Sequence, residues 1–271
     1  MRLSPSLFLI LTLIAPSVRA ETVSAIRSPQ ETWQKAAARE GRTLHLRTSG
    51  TKEAPVQDVA EDFWSFDSSD VPLWTTREGI PAELRDLQDQ FLAIRDERIH
   101  QDPEDPGRLR RIAFLFPDDG CHLRAALFNQ SLERKGYARG YKIFAFGDLR
   151  VPTPHHPDGD VLWWFHVAPI FRVKEGLFVA DPALFPAQPV PLKQWLKFLA
   201  PENDITKLRM VSCDAYAHSP HSRCMNGSQG TEEGAFKIHN REFLGYEWRR
   251  QVKLGRDPEK ILGDFPPWRM P

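Results

Sequence analysis

An α+β fold is expected for this chain of 271 residues on three observations. A helix with an apolar stripe of 3.6-residue period lies just after residue 81. A second amphipathic helix opens at Cys121, and two apolar runs beyond residue 160 are joined by Lys174-Glu175-Gly176 in the manner of an antiparallel hairpin. Helices come first and strands follow, which is an α+β order.

The elements follow from the amino terminus. Residues 1–20, MRLSPSLFLILTLIAPSVRA, carry Arg2 in a short positive region, an apolar run from Leu7 to Ile14, and Val18-Arg19-Ala20 before Glu21. That is the pattern of a secretory signal peptide. Its apolar run is too short to span a bilayer as a helix, so a cleaved, soluble, exported protein is expected. Residues 21 to about 78 read as an appendage or pro-segment. Within them SPQETWQKAAAREG predicts a short helix with Ser28 as cap, Pro29 at the first helical position and Gly41 as its stop. TSGTKEAPVQD reads as a linker, and FWSFDSSDVPLW is aromatic but broken by Asp, Ser and Pro.

The next helix, IPAELRDLQDQFLAIRDERIH, has Pro81 at its start and Leu84, Leu87, Phe91, Leu92 and Ile94 on one stripe. QDPEDPG then breaks the chain, and RRIAFLF predicts a strand leading into Pro117-Asp118-Asp119-Gly120. The helix opened by Cys121 is expected to end near Gly136, with Ala125, Phe128 and Leu132 facing inward. YKIFAFGDL and a loop rich in Pro and His, RVPTPHHPDGD, precede the hairpin of VLWWFHVAPIFRV and GLFVADPALF. PLKQWLKFL reads as a short helix, and Phe236 to Tyr246 as another.

Composition narrows the function. Of 36 basic residues the signal removes Arg2 and Arg19 and no acid, leaving 34 against 36 acidic, a net charge of about −2. A near-neutral chain without a basic block gives no electrostatic reason to bind nucleic acid or an anionic membrane. Three cysteines are an odd number for an exported protein. Cys213 and Cys224, in CDAYAHSPHSRC, are the natural disulfide pair, and such a short loop would contribute roughly 2–3 kcal/mol. Cys121 is then left as a free thiol in an oxidising compartment.

A thiolate is stabilised at a helix N-terminus, where free N–H groups also serve a developing oxyanion. It needs a base, and the base an orienting partner. Among nine histidines only His166 lies inside a predicted strand, and Asp181 is the only carboxylate in the apolar run on the other arm of the hairpin. The turn near residue 175 places Asp181 within about one to three positions of the point opposite His166. The ordinary readings are a buried small hydrophobe for Cys121, a satisfied core residue for His166 and a strand-end turn for Asp181.

FPDDGCHLRA, WWFHVAPIFRV and VADPALF together resemble the bacterial protein-glutaminase family. That family shows a Gly-Cys-x-x-Arg-Ala helix start, a Trp-x-x-His-Val-Ala strand and an Asp-Pro-x-Leu-Phe strand end. The matching positions are Gly120, Cys121, Arg124 and Ala125; Trp163, His166, Val167 and Ala168; and Asp181, Pro182, Leu184 and Phe185. The resemblance spans roughly residues 80–200. It implies a transglutaminase/papain-like core in residues 79–271, with Cys121 as nucleophile, His166 as base and Asp181 as its partner. It also implies protein-bound glutamine as substrate and no cofactor or metal, and it makes residues 21–78 look like a pro-segment. The expected partner is a protein or peptide with accessible Gln side chains, met by a monomer in the periplasm or outside the cell.

Other readings stand beside it. Cys213, His218, His221 and Cys224 are the ligand types of a structural zinc site. His155 and His156 are expected on the surface of their loop, and Asn226-Gly227-Ser228 fits a glycosylation acceptor. Transglutamination or peptide hydrolysis would use the same three residues, and a secreted binding module would use none.

Overall fold

The structure, a computed structural model, describes residues 24–49, 81–213, 215, 232–263 and 266–269. It is a mixed arrangement of helices around a five-stranded antiparallel sheet. The strands are β3 (Tyr141–Pro152), β4 (Asp160–Val173), β5 (Gly176–Val179), β6 (Val190–Pro191) and β7 (Arg209–Cys213), in the spatial order β6-β5-β4-β3-β7. A two-residue ladder, β1 (His100–Gln101) with β2 (Leu109–Arg110), lies apart from it. The helices are α1 (Trp33–Ser49), α2 (Leu84–Arg95), α3 (Cys121–Arg134), α4 (Leu192–Leu199), α5 (Glu232–Lys253) and α6 (Pro258–Leu262).

The expected hairpin is present. Val173 pairs with Gly176 and Ile170 with Val179, so the chain turns at Lys174-Glu175 as the sequence suggests. β3 and β4 form the long centre of the sheet, and most residues of both are buried. α1 and α3 pack on β4, and α2 and α5 pack on α3. Leu87, Phe91 and Ile94 of α2 meet Leu127, Phe128 and Leu132 of α3 in one apolar cluster, so the stripe read from sequence does face the core. Leu84 and Leu92 of that stripe are only partly buried.

Three local expectations are corrected, and one strand was not foreseen. First, α1 starts at Trp33 instead of Pro29. Residues 28–31 form a turn, with Glu31 N–H donating to Ser28 O at 3.1 Å, and the helix is capped from afar by Asp148 Oδ1, 2.7 Å from Trp33 N. Gly41 does not stop it: an interior glycine costs about 1 kcal/mol but keeps its hydrogen bonds. Second, α2 starts three residues after Pro81 and ends at Arg95.

Third, RRIAFLF is a buried extended segment with no strand beyond Arg110. Two of its backbone donors are taken by side chains of α5: Ala113 N–H by Asn240 Oδ1 at 3.1 Å and Leu115 N–H by Glu247 Oε1. A buried backbone needs partners, and here a helix supplies what a neighbouring strand would have. RMVSC, with no clear signal in sequence, is the edge strand β7 beside β3. The expected tail helix is present as α5 and is longer than Phe236 to Tyr246.

The described part of the amino-terminal region is joined to the sheet. Ile26 bridges Trp163, Arg27 N–H donates to Leu162 O at 3.0 Å, and Trp164 N–H donates to Ala25 O at 3.0 Å. Ala25, Ala36 and Ala37 are buried in the main apolar cluster. Residues 1–23, with the expected signal peptide, residues 50–80, and Cys224 with His218, His221 and Asn226 lie outside the described residues. No helix among the described residues is long and apolar enough to cross a membrane.

Glu247 yields a stability prediction. Burial pushes its carboxyl up to about 7 from an ordinary 4.5, against the opposing Leu115 hydrogen bond and the charges of Arg124, Arg110 and Arg111. A folded-state value above the unfolded one means that the native state holds the extra proton. This contribution is therefore complete below about pH 4.5 and lost as pH rises to about 7. Glu247→Gln keeps an oxygen for Leu115 and removes the titration. Urea unfolding from pH 4.5 to 7 should show the wild type losing on the order of 3 kcal/mol relative to the variant. Parallel stability curves would contradict the assignment.

Candidate active site

Cys121 is the first residue of α3, preceded by Gly120 at φ 86°. That left-handed conformation turns the loop into the helix. Glycine is required there twice over, because an added Cβ would also lie 3.1 Å from the Phe243 ring. The loop ahead of it is held by its carbonyls. Arg124 Nη1 donates to Phe116 O at 3.0 Å and to Asp119 O at 2.8 Å, and Trp163 Nε1 donates to Pro117 O at 3.0 Å. Asp119 Oδ1 accepts from Gly120 N–H at 2.6 Å. From α5, Arg250 pairs with Asp118 at 2.8 Å and covers the Phe116 ring. Arg124 and Trp163, both in the quoted motifs, therefore fix where Cys121 begins.

Cys121 is free and 2% exposed. Burial pushes its thiol up to about 12; the Arg124 charge and hydrogen bonds from the Val167 and His122 backbone act the other way, and Asp119 adds to the rise. α3 packs on β4, and Cys121 shares its apolar cluster with Val167, the residue after His166. Burial also pushes Asp119 up to about 6, despite its bond to Gly120 N–H. It pushes His122 down to about 3, helped by Lys142.

His166 is 1% exposed and Asp181 5%. His166 Nε2 lies 2.8 Å from Asp181 Oδ2, and Trp195 Nε1 donates to the same oxygen at 2.9 Å. Burial presses the Asp181 carboxyl upward, yet the His166 charge and the His166 and Trp195 hydrogen bonds outweigh it and hold the group below its ordinary value. An ionised Asp181 only accepts, so the proton of this bond belongs to His166 Nε2. His166 Nδ1 is then the nitrogen left over, buried and without a hydrogen-bond partner.

Trp163 stacks on the His166 ring, with centroids 4.5 Å apart and planes 9° from parallel. Residues three apart in a regular strand point to opposite faces. The ladder between β3 and β4 shifts register here, Phe146 facing Phe165 but Leu149 facing Trp163. Such an irregularity re-aims side chains. Trp164 and Phe165 pack instead against Phe146.

The three residues singled out from sequence thus lie on α3, β4 and the strand end after β5, and the structure pairs two of them directly. Trp195 was missed; a single tryptophan in PLKQWLKFL carries no signal beyond core packing. Among the other histidines, His155 is buried instead of exposed, with its Nδ1 facing Arg256 at 3.2 Å. Cys213 ends β7, buried and disulfide-bonded. Among the described residues no group of three or more His, Cys, Asp or Glu is placed to hold a metal.

Residues 87–199, from α2 to the end of α4, match a family model described as Glutaminase. That segment is similar to the glutaminase family. It contains Cys121, His166, Asp181 and Trp195. No curated protein matches the chain. Among solved structures, a crystal structure of pro-protein-glutaminase is 20% identical over 81% of this chain and 72% of its own, with a TM-score of 0.46. A crystal structure of protein-glutaminase is 18% identical over 71% and 95%, with a TM-score of 0.44. The NMR structure of protein-glutaminase from Chryseobacterium proteolyticum is 20% identical over 71% and 94%, with a TM-score of 0.43.

Gly120 combines a left-handed backbone with a close neighbour, so substitution there is strained. Gly120→Ala should cost about 1–2 kcal/mol from the left-handed backbone alone, with a further loss from Phe243. Thermal unfolding would show it as a Tm several degrees lower, and an unchanged Tm would mean that the turn relaxes.

Proposed function

We propose that the protein is a protein-glutamine deamidase with Cys121 as nucleophile, His166 as general base and acid, and Asp181 as the group that orients it. The reading is carried by the buried His166–Asp181 pair, which leaves one imidazole nitrogen unpartnered on the strand against which the Cys121 helix packs. The glutaminase match over the same residues supports the choice of substrate.

The chemistry needs no other group. Transfer of the Cys121 proton to His166 Nδ1 gives thiolate and imidazolium, the latter stabilised by Asp181. The thiolate sulfur attacks the side-chain carboxamide carbon of a protein-bound glutamine. The oxyanion meets the Cys121 backbone N–H at the start of α3. The tetrahedral adduct expels ammonia as His166 returns the proton, leaving a thioester. Water, deprotonated by His166, attacks the thioester carbon; glutamate leaves and the thiol is restored.

In this reading residues 1–20 are a signal peptide, residues 21–78 a pro-segment and residues 79–271 the catalytic domain of a monomer acting in the periplasm or outside the cell. Cys213 pairs with Cys224. The pairing of residues 24–27 with β4 and the burial of the thiol support a latent form, because a thiol held near 12 is almost wholly protonated at neutral pH.

Purified chain, with and without residues 21–78, is to be incubated with a glutamine-rich protein beside a Cys121→Ala control. Ammonia should appear only where Cys121 is present, with Gln-to-Glu mass shifts of about 1 Da, and faster from the truncated form. Amine incorporation or backbone cleavage in place of the mass shift would assign the site to transglutamination or peptide hydrolysis. Silence from both forms on several substrates, with Cys121 refusing alkylation, would favour a secreted binding module.

A further inference from the structure

We infer that Trp195 is a positioning residue for the His166–Asp181 pair: its indole N–H fixes the carboxylate oxygen that takes His166 Nε2, and so fixes which imidazole nitrogen is left for the thiol. The kinetic part of this inference rests on the proposed deamidase reading; the spectroscopic part does not.

Three observations support it. Asp181 Oδ2 receives both bonds, from His166 Nε2 at 2.8 Å and from Trp195 Nε1 at 2.9 Å. The carboxylate stands just beyond β5, where no strand partner restrains its rotation; Leu184 and Phe185 N–H instead donate to its main-chain carbonyl. The Trp195 ring is fully buried with its centroid 5.7 Å from that of His166. Trp163 lies against the imidazole as well. The ring therefore stands between two indoles, one setting its plane and the other the acceptor it points to.

A tryptophan kept only to fill space would be replaced by phenylalanine at the cost of a small void. A positioning tryptophan would not, because phenylalanine keeps an aromatic ring and loses the N–H. Without that donor Asp181 Oδ2 keeps one hydrogen bond in a site closed to water. Burial then presses the carboxyl toward its neutral form, which can turn its own O–H toward Nε2 and reverse the imidazole tautomer.

The test uses the full chain labelled with nitrogen-15. In the wild type the neutral His166 ring should give the shifts of one tautomer, protonated at Nε2, and the Trp195 indole N–H should exchange slowly with water. In Trp195→Phe the His166 ring shifts should move toward a mixture of tautomers. Ammonia release should lose kcat by about tenfold or more, the range for one hydrogen bond to a charged group, with KM within twofold. A fast-exchanging Trp195 indole N–H in the wild type overturns the inference without any variant. So does a Trp195→Phe protein with unaltered His166 shifts. Should the wild type release no ammonia either with or without residues 21–78 while the shifts move, the deamidase reading falls and the positioning role stands.

Discussion

A carboxylate shut away from water must find its donors inside the protein, and much of the site follows from meeting that demand at Asp181. Desolvation of a charge costs several kcal/mol unless charge and hydrogen bonds replace the lost water. Two donors converge on Oδ2, and each comes from a different element. The tight turn at Lys174-Glu175 sets the register that brings the end of β5 back beside His166. β6 pairs with β5 and leads directly into α4, which carries Trp195 inward. Removal of either partner would leave a buried charge under-satisfied, a larger penalty than the bond itself is worth.

The loop before α3 poses the complementary problem of buried acceptors. The carbonyls of Phe116, Pro117 and Asp119 are met by Arg124 and Trp163. Because Trp163 also stacks on His166, one indole ties the segment that positions the thiol to the ring that would deprotonate it. α5 closes the arrangement from outside through Arg250 and Phe243.

Legibility in the sequence tracked how local the determining physics is. α2, α3 and α4 were readable because their apolar spacing and turn residues lie within the elements themselves. The hairpin, and with it the nearness of His166 to Asp181, was readable because its turn is short. RRIAFLF misled because its extended, apolar character is real but its hydrogen-bond partners, Asn240 and Glu247, are more than 120 residues away. The start of α1 misled for the same reason: Asp148 caps it across 115 residues. Trp195 was invisible because tryptophan in an apolar helix face is explained by packing alone, and only the coordinates show where its N–H points.

The state of the thiol sets what any reactivity at this site must overcome. Raising Cys121 from 9 to about 12 corresponds to about 4 kcal/mol against the thiolate. A helix N-terminus returns about 0.3–1 kcal/mol, and up to about 2 in a favourable buried setting. The position of Cys121 on α3, from which the sequence suggests a reactive thiol, is thus outweighed here by its burial. Since desolvation is the largest cause, access of water matters more than any adjustment of the helix. The elements that keep water out therefore govern the thiol as directly as the residues that touch it. The amino-terminal segment contributes Ala25, Ala36 and Ala37 to the apolar cluster that contains Cys121, and is held on β4 by backbone bonds at Leu162 and Trp164 and, through the α1 cap, by one carboxylate in the β3 irregularity.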